Sequence, residues 1–336
     1  MKKNDSNKID EIDAIILRNL LKEARTTFTE IAKECKISIT GVRSRFLKLK
    51  KIGIINGAIM QVNPYSLGYD CMCDITMKTA PENDEKVKQF LRNKPYTKKI
   101  LKQFGPQNIR IAVLLKSINE LSGIMEDIGK CEHIKNMKPL IWTKPVHMDH
   151  PENLVIKPLN YKNKAEDSIS SKGEYEKKIE LDEIDIQIAK ILINDARKPF
   201  RFIGKKLNIP TQTVIRKYNR LRKGVLTTSS ITVNLQKLGY KAIARIFIKI
   251  SNQAEERRIH SELLQIPNVI VAIRHLGIYS IRILIALEDF EDWFTVEEKI
   301  KKIDGITEMD ISFDKAFTKW PLNIFSNILT DKQHKK

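Results

Sequence analysis

Cysteine is scarce in this sequence: Cys35, Cys71, Cys73 and Cys131 are the only four among 336 residues. None stands at CxxC spacing, so a redox motif or zinc ribbon is unsupported, and the thiols read as small core residues. No apolar stretch approaches the roughly 18 residues that a spanning helix requires. The opening Met1-Lys2-Lys3-Asn4-Asp5 shows no secretory pattern, and a cytoplasmic, nucleoid-associated protein with no membrane partner is expected. Acidic residues are outnumbered, 41 against 60 basic, and the resulting charge of +19 points to a polyanionic partner. His147 and His150 flank Asp149, but beside Pro151 they read as a solvated loop at the edge of a linker.

What is present is a repeat. Asp10 and Asp13 recur as Asp182 and Asp185, and Ala24-Arg25 as Ala196-Arg197, 172 positions later. Phe28, Ile31 and Lys33 meet Phe200, Ile203 and Lys205 at the same shift; Asn63, Leu67 and Gly68 meet Asn234, Leu238 and Gly239 one residue earlier. A period this long is no solenoid unit. It is a two-part protein written twice.

Each copy opens with a helix-turn-helix pattern. In the first, Ile12, Ile15, Ile16 and Leu20 form one helical stripe, and Thr27 with Glu30 spells a capping box ahead of Phe28–Cys35. Ser38 is placed to cap a third helix, in which Val42, Phe46 and Leu49 face inward. Thr40, Arg43, Ser44 and Leu47 face outward there, with Arg45 and Lys48 on the flanks. Gly53 ends that helix, and Ile54–Val62 alternates as a winged hairpin would. In the second copy Pro199 and Pro210 replace Thr27 and Ser38, so Thr211 becomes the expected cap. Gln212, Ile215, Arg216 and Asn219 face outward, beside Lys217, Arg220 and Arg222. Taken singly, each of these basic residues reads first as a solvated surface charge. Together, and twice over, the hydroxyl, amide and guanidinium groups suit base edges and phosphates of double-stranded DNA.

The string Ile9-Asp10-x-x-Asp13-x-x-Ile16-Leu17-x-x-Leu20, with Ala24-Arg25, Ser38-x-Thr40 and Asn63-x-x-x-Leu67-Gly68, resembles the Lrp/AsnC (leucine-responsive regulator) family. Leu181-Asp182-x-x-Asp185, Gly224-Val225-Leu226 and Asn234-x-x-x-Leu238-Gly239 carry the resemblance into the second copy. It implies a sequence-specific transcriptional regulator, not an enzyme, with no cofactor, metal or catalytic residue.

After each head the pattern is βαββαβ, the ferredoxin-like order. The expected fold class is therefore α+β: winged helix-turn-helix domains at 8–64 and 180–235, and ferredoxin-like domains at 65–145 and 236–320. A linker at 146–179 and a tail at 321–336 complete it; Leu322, Ile324, Phe325, Ile328 and Leu329 in the tail read as a short docking helix. The resemblance makes the ferredoxin-like domains effector-binding and dimerising. Duplication then implies that the two sheets pair within one chain, as a covalent pseudo-dimer, and such chains can associate further as homo-oligomers.

The effector loops depart from the family's Gly-x-x-Asp. Here they read Gly105-Pro106-Gln107-Asn108 and Gly277-Ile278-Tyr279-Ser280, with Arg110 and Arg282 two residues on. The candidate effector set is Gly105, Asn108, Arg110, Gly277, Ser280 and Arg282, for an amino acid or another anion. The two arginines could hold a bound anion, but an inter-sheet salt bridge is the more ordinary use of such a pair. A rival reading is a tetrapyrrole enzyme similar to siroheme decarboxylases on the same fold, for which Arg274, His275, Tyr279 and Arg282 offer the suggestive chemistry. His275 is matched only by Gln103 in the first copy.

Overall fold

A computed structural model describes residues 9–102, 107–143, 148–159 and 180–329. The first head contains α1 (Glu11–Lys22), α2 (Phe28–Cys35) and α3 (Ile39–Lys51), followed by β1 (Ile55–Val62). Its ferredoxin-like half runs β2 (Cys71–Thr79), α4 (Asp84–Arg92), β3 (Thr97–Lys102), β4 (Ile109–Leu115), α5 (Glu120–Gly129), β5 (Ile134–Trp142). The second copy repeats the order: α6 (Glu183–Asn194), α7 (Phe200–Leu207), α8 (Thr211–Leu221) and β6 (Leu226–Val233), then β7 (Ala242–Ile250). It ends with α9 (Glu256–Leu264), β8 (Val269–Leu276), β9 (Ile281–Leu287), α10 (Glu291–Lys301) and β10 (Ile306–Lys315).

The helix starts follow their local chemistry. Thr27 and Glu30 exchange hydrogen bonds at the start of α2, the Glu30 carboxylate accepting from Thr27 N–H at 2.8 Å. Asp182 and Asp185 form a second capping box at α6. Thr211 does not act as the cap expected of it: α8 begins at Thr211 itself, after Pro210, with no side-chain cap. Proline is tolerated there because the N–H it lacks would have no helical partner.

The winged hairpin expected at 54–62 is not formed among the described residues. β1 pairs instead with β6 of the other copy, antiparallel, from Ile55 opposite Val233 to Val62 opposite Leu226. Alternation specifies a strand but not its partner, and here the partner is the second copy's equivalent strand. α1 packs on β6 and α6 on β1, so each head rests on the other's strand.

The ferredoxin-like halves share one order, β10-β7-β9-β8-β5-β2-β4-β3, joined where Ile141 and Trp142 pair with Leu276 and His275. One face of each half is covered by its own helices: Ile75, Ile111 and Val113 pack with Val87, Leu91 and Ile128 in the first. Ile246, Ile283 and Ile285 pack with Ile259, Leu263 and Ile300 in the second. The opposite faces meet each other, placing Met72, Leu114, Ile243 and Leu284 in a core that continues into both heads. The sheets thus pair within one chain.

Two stretches differ from the expectations. Residues 148–159 are not a free linker: His150 N–H donates to Ile270 O at 2.9 Å, Asp149 bridges to Val271, and Met148, Leu154 and Ile156 are buried. Residues 160–179, like His147, lie outside the described residues. After Pro321 the chain forms turns instead of a helix, and its apolar residues dock on its own core. Trp320 and Val233 exchange backbone hydrogen bonds of 2.9 and 2.7 Å, and Phe325 and Ile328 are buried.

Burial holds the Asp149 carboxyl up at about 7, the nearby Glu152 adding to the effect against a hydrogen bond from Gln61. A carboxyl whose folded value lies above its unfolded value contributes stability below the unfolded pKa that is lost as pH rises through the folded one. Urea midpoints measured at pH 5 and pH 8 should therefore differ less in Asp149→Asn than in the parent chain; an undiminished difference would remove Asp149 as its source.

Candidate nucleic-acid interface and the buried face between the copies

The first layer of the site is the pairing of the heads. Arg25 Nη1 donates to Ala196 O at 2.6 Å and Lys198 O at 3.1 Å, and its guanidinium lies 3.9 Å from the Phe200 ring centroid. Arg197 returns the contact, donating to Ala24 O and Thr26 O and lying 4.8 Å from the Phe28 centroid. Ala24 N–H donates to Ser229 O and Ala196 N–H to Ala58 O, both at 3.1 Å. The repeated Ala-Arg dipeptide is thus a reciprocal clamp. The dipeptide's recurrence is visible in the sequence but its role is not; the signal is one matched arginine just after each head's first helix. Substituting both, Arg25→Ala with Arg197→Ala, should lower the melting temperature by several degrees by uncapping four carbonyls. An unchanged melting curve would leave the clamp without energetic weight.

The clamped heads display α3 and α8. Thr40, Arg43 and Ser44 are exposed on α3, and Gln212 and Arg216 on α8. Arg43 and Arg216 form no ion pair among the described residues. The flanking candidates are engaged inside their own heads. Arg45 Nη1 reaches Asp10 at 2.6 Å and Asp13 at 2.9 Å, while Lys48 lies 3.6 Å from Asp13. Lys217 pairs with Asp182 at 2.5 Å and Asp185 at 3.2 Å, and Arg220 pairs with Asp185. Arg222 bonds Glu23 of the other copy at 3.0 Å. Asp13 and Asp185 are buried, so these cations neutralise carboxylates that would otherwise be costly to enclose.

The candidate effector residues separate into different environments. Arg110 and Arg282 converge on one residue, Asp74 of β2, at 2.6 Å and 2.5 Å. Trp142 Nε1 donates to the same carboxylate at 2.9 Å. The inter-sheet salt bridge is the arrangement found. Asn108 sits elsewhere, clamping Thr79 and donating to Asp84 Oδ1 at 2.8 Å. Gly277, at φ +143, packs against Pro139, and Ser280 accepts from His275 N–H at 2.7 Å through its backbone. Gly105 lies outside the described residues.

Burial alone would raise the Asp74 carboxyl, but Arg110 and Arg282 hold it well below the usual carboxylate range. Burial and the neighbouring Arg110 bring Arg282 down to about 9. His275 is fully buried; its Nε2 stands 3.7 Å from Asp74, beyond hydrogen-bond reach, and burial with Arg282 nearby lowers it to about 4. Asp74 itself was missed in the sequence. In the second copy its position is held by Arg245, which pairs with Asp314.

Two clamped helix-turn-helix heads on paired ferredoxin-like halves define a DNA-binding protein of the helix-turn-helix class, with its dimer built from one chain. Residues 9–56 match a family model described as winged helix-turn-helix DNA-binding, and residues 181–222 match the AsnC-type helix-turn-helix domain. The HTH-type transcriptional regulator LrpA of Pyrococcus horikoshii is 36% identical over 134 residues, covering 40% of this chain and 95% of that protein. The regulatory protein AsnC of Escherichia coli K12 is 32% identical over 136 residues, or 40% of this chain and 89% of that one. The chain belongs to the Lrp/AsnC family, and each relative has about the length of one copy. The fold of the whole chain is similar to that of the siroheme decarboxylase NirDL, with a TM-score of 0.60 at 17% identity over 96% of this chain and 98% of that one.

Proposed function

We propose that this DNA-binding transcriptional regulator of the Lrp/AsnC type grips double-stranded DNA in the cytoplasm with α3 and α8 of a single chain. The observation that carries the reading is the pair of exposed, uncommitted outward faces. Thr40, Arg43 and Ser44 lie on one and Gln212 and Arg216 on the other, held together by the Arg25–Arg197 clamp. Arg45, Lys48, Lys217, Arg220 and Arg222 act mainly as supports for the heads and reach phosphates only secondarily. Since one chain supplies both heads, binding needs no second chain. Among the described residues no helix is long and apolar enough to cross a membrane.

An effector at Arg110 and Arg282 would have to displace Asp74, so the reading does not depend on a ligand there. The test is fluorescence anisotropy of the gene's upstream duplex against a scrambled one across a salt series. Strong preference for the native duplex with a steep salt slope, about 0.9 per phosphate engaged, is expected. Equal, weak binding of both would reject it.

The tetrapyrrole-enzyme reading draws on the fold likeness to NirDL, and would use His275 and Arg282 of this chain toward an acidic substrate. Here both are buried and gathered round Asp74, which favours a structural role. A Soret shift on adding siroheme to the purified chain would favour the enzyme instead.

A further inference from the structure

The head–head interface has two pseudo-symmetric sides, and they differ. The first holds a groove of about 460 Å³, walled by Phe28, Phe46 and Lys50 of one head, floored by Gly57, and closed by Asp195 and Arg197 of the other. At the matching place in the second copy, Arg222 bonds Glu23 at 3.0 Å and donates to Thr227 O, so an ion pair lies across the space.

Each substitution between the two sides goes in one direction. The open groove has Lys50 where the other side has Arg222, Asp195 for Glu23, and Phe46 for Tyr218. On its floor stand Gly57 and Ala58 where the other side has Thr228 and Ser229. Backbone geometry does not demand the glycine: a Cβ on Gly57 would meet only Thr232 Oγ1, at an ordinary 3.5 Å. What the glycine provides is space.

The groove's chemistry is one-sided. Phe28, Phe46 and Ile55 offer apolar surface, and the Arg197 guanidinium is committed to the Ala24 and Thr26 carbonyls. Asp195 is engaged by the Arg197 N–H at 3.2 Å and by Lys198 at 3.8 Å. Lys50, exposed, forms no ion pair among the described residues, its Nζ standing 5.8 Å from the Phe46 centroid. An apolar body against the rings with a carboxylate toward Lys50 fits this arrangement.

We propose that this groove binds a small apolar monocarboxylate, with an aromatic or branched aliphatic body, wedged between the two heads. The effect of such a ligand on the spacing of α3 and α8 rests on the DNA-binding reading; binding itself does not.

The full chain with ¹³C-labelled isoleucine and alanine methyls is titrated with phenylacetate and 4-methylpentanoate, with benzylamine as the cationic control. Saturable shifts at Ile55 and Ala58 are expected with at least one of the carboxylates and not with the amine. The triple variant Lys50→Arg, Gly57→Thr, Asp195→Glu rebuilds the closed walls from residues already used at the matching positions. It should melt as the parent does and bind the responding carboxylate at least about tenfold more weakly, or about 1.4 kcal/mol. Lys50→Met, which keeps the apolar walls, is a second variant expected to weaken binding. No saturable shift with either acid, undiminished binding in both variants, or equal binding of benzylamine overturns the proposal. Binding that depends on the groove but leaves DNA affinity unchanged upholds the site and removes only its coupling to DNA.

Discussion

Urea denaturation of an Asp74→Ala variant should show a loss of roughly 3–5 kcal/mol, the range for breaking a buried ion pair by removing one partner. Asp74 is fully buried and accepts from Arg110, Arg282 and Trp142. Without it, Arg110 and Arg282 lose the buried carboxylate they share, while Arg245 keeps its pairing with Asp314. The charges matter more than the lost volume, so Asp74→Asn should also be strongly destabilising. Adding Arg282→Met to Asp74→Ala should restore part of the loss, because an unpaired buried cation is removed with its partner. Exposed Asp70→Ala is the control and should stay within about 0.5 kcal/mol of the parent. The Asp74 carboxyl titrates well below its unfolded value, so its contribution is present above a pH of about 4 and is lost only as pH falls further. A loss below about 1 kcal/mol in Asp74→Ala would mean that the arginines are neutralised by other means.

The parts of this fold that were legible in the sequence are those written in short range. The stripe of α1, the Thr27–Glu30 box and the βαββαβ order each depend on spacings of a few residues, and the structure has them where the spacing put them. What was not legible depends on pairing across the copies. β1 alternates just as a hairpin strand would, yet its partner lies in β6. Arg25 reads as a surface charge until its acceptors, 171 and 173 positions away, are known. Residues 148–159 have a linker's polarity, but Met148, Leu154 and Ile156 were enough to fasten them to the second sheet. Asp74 left the clearest unread signal. It is a lone carboxylate among Cys71, Met72, Cys73, Ile75 and Met77, and the second copy has an arginine at its position. Lys138 and Asp310 are likewise opposite in sign at matching places. Aligning the copies for reversals of charge, instead of for identity, would have pointed to the face where they meet.

Selection of bound duplexes from a random pool should return two unlike half-sites at one fixed separation. The half-sites should differ because the outward faces differ: Thr40, Arg43 and Ser44 on α3 are matched by Gln212, Ile215 and Arg216 on α8. An arginine suited to two acceptors on guanine is exposed on α3 where α8 presents an isoleucine, and the arginine of α8 stands one position further along. The separation should be constant because the clamp of Arg25 and Arg197 and the β1–β6 pair hold the heads as one body, near one helical turn of DNA apart or a multiple. Arg43→Ala should relax preference at one half-site and Arg216→Ala at the other, each costing roughly 1–3 kcal/mol of binding. Arg45→Ala and Lys217→Ala should act differently, lowering stability through the uncovered Asp13 and Asp185 while leaving base preference unchanged. Recovery of perfect palindromes by a single-chain complex would defeat the two-half-site reading. Variable separation would mean instead that the heads part on DNA, and the Arg25→Ala, Arg197→Ala variant should then bind as tightly as the parent.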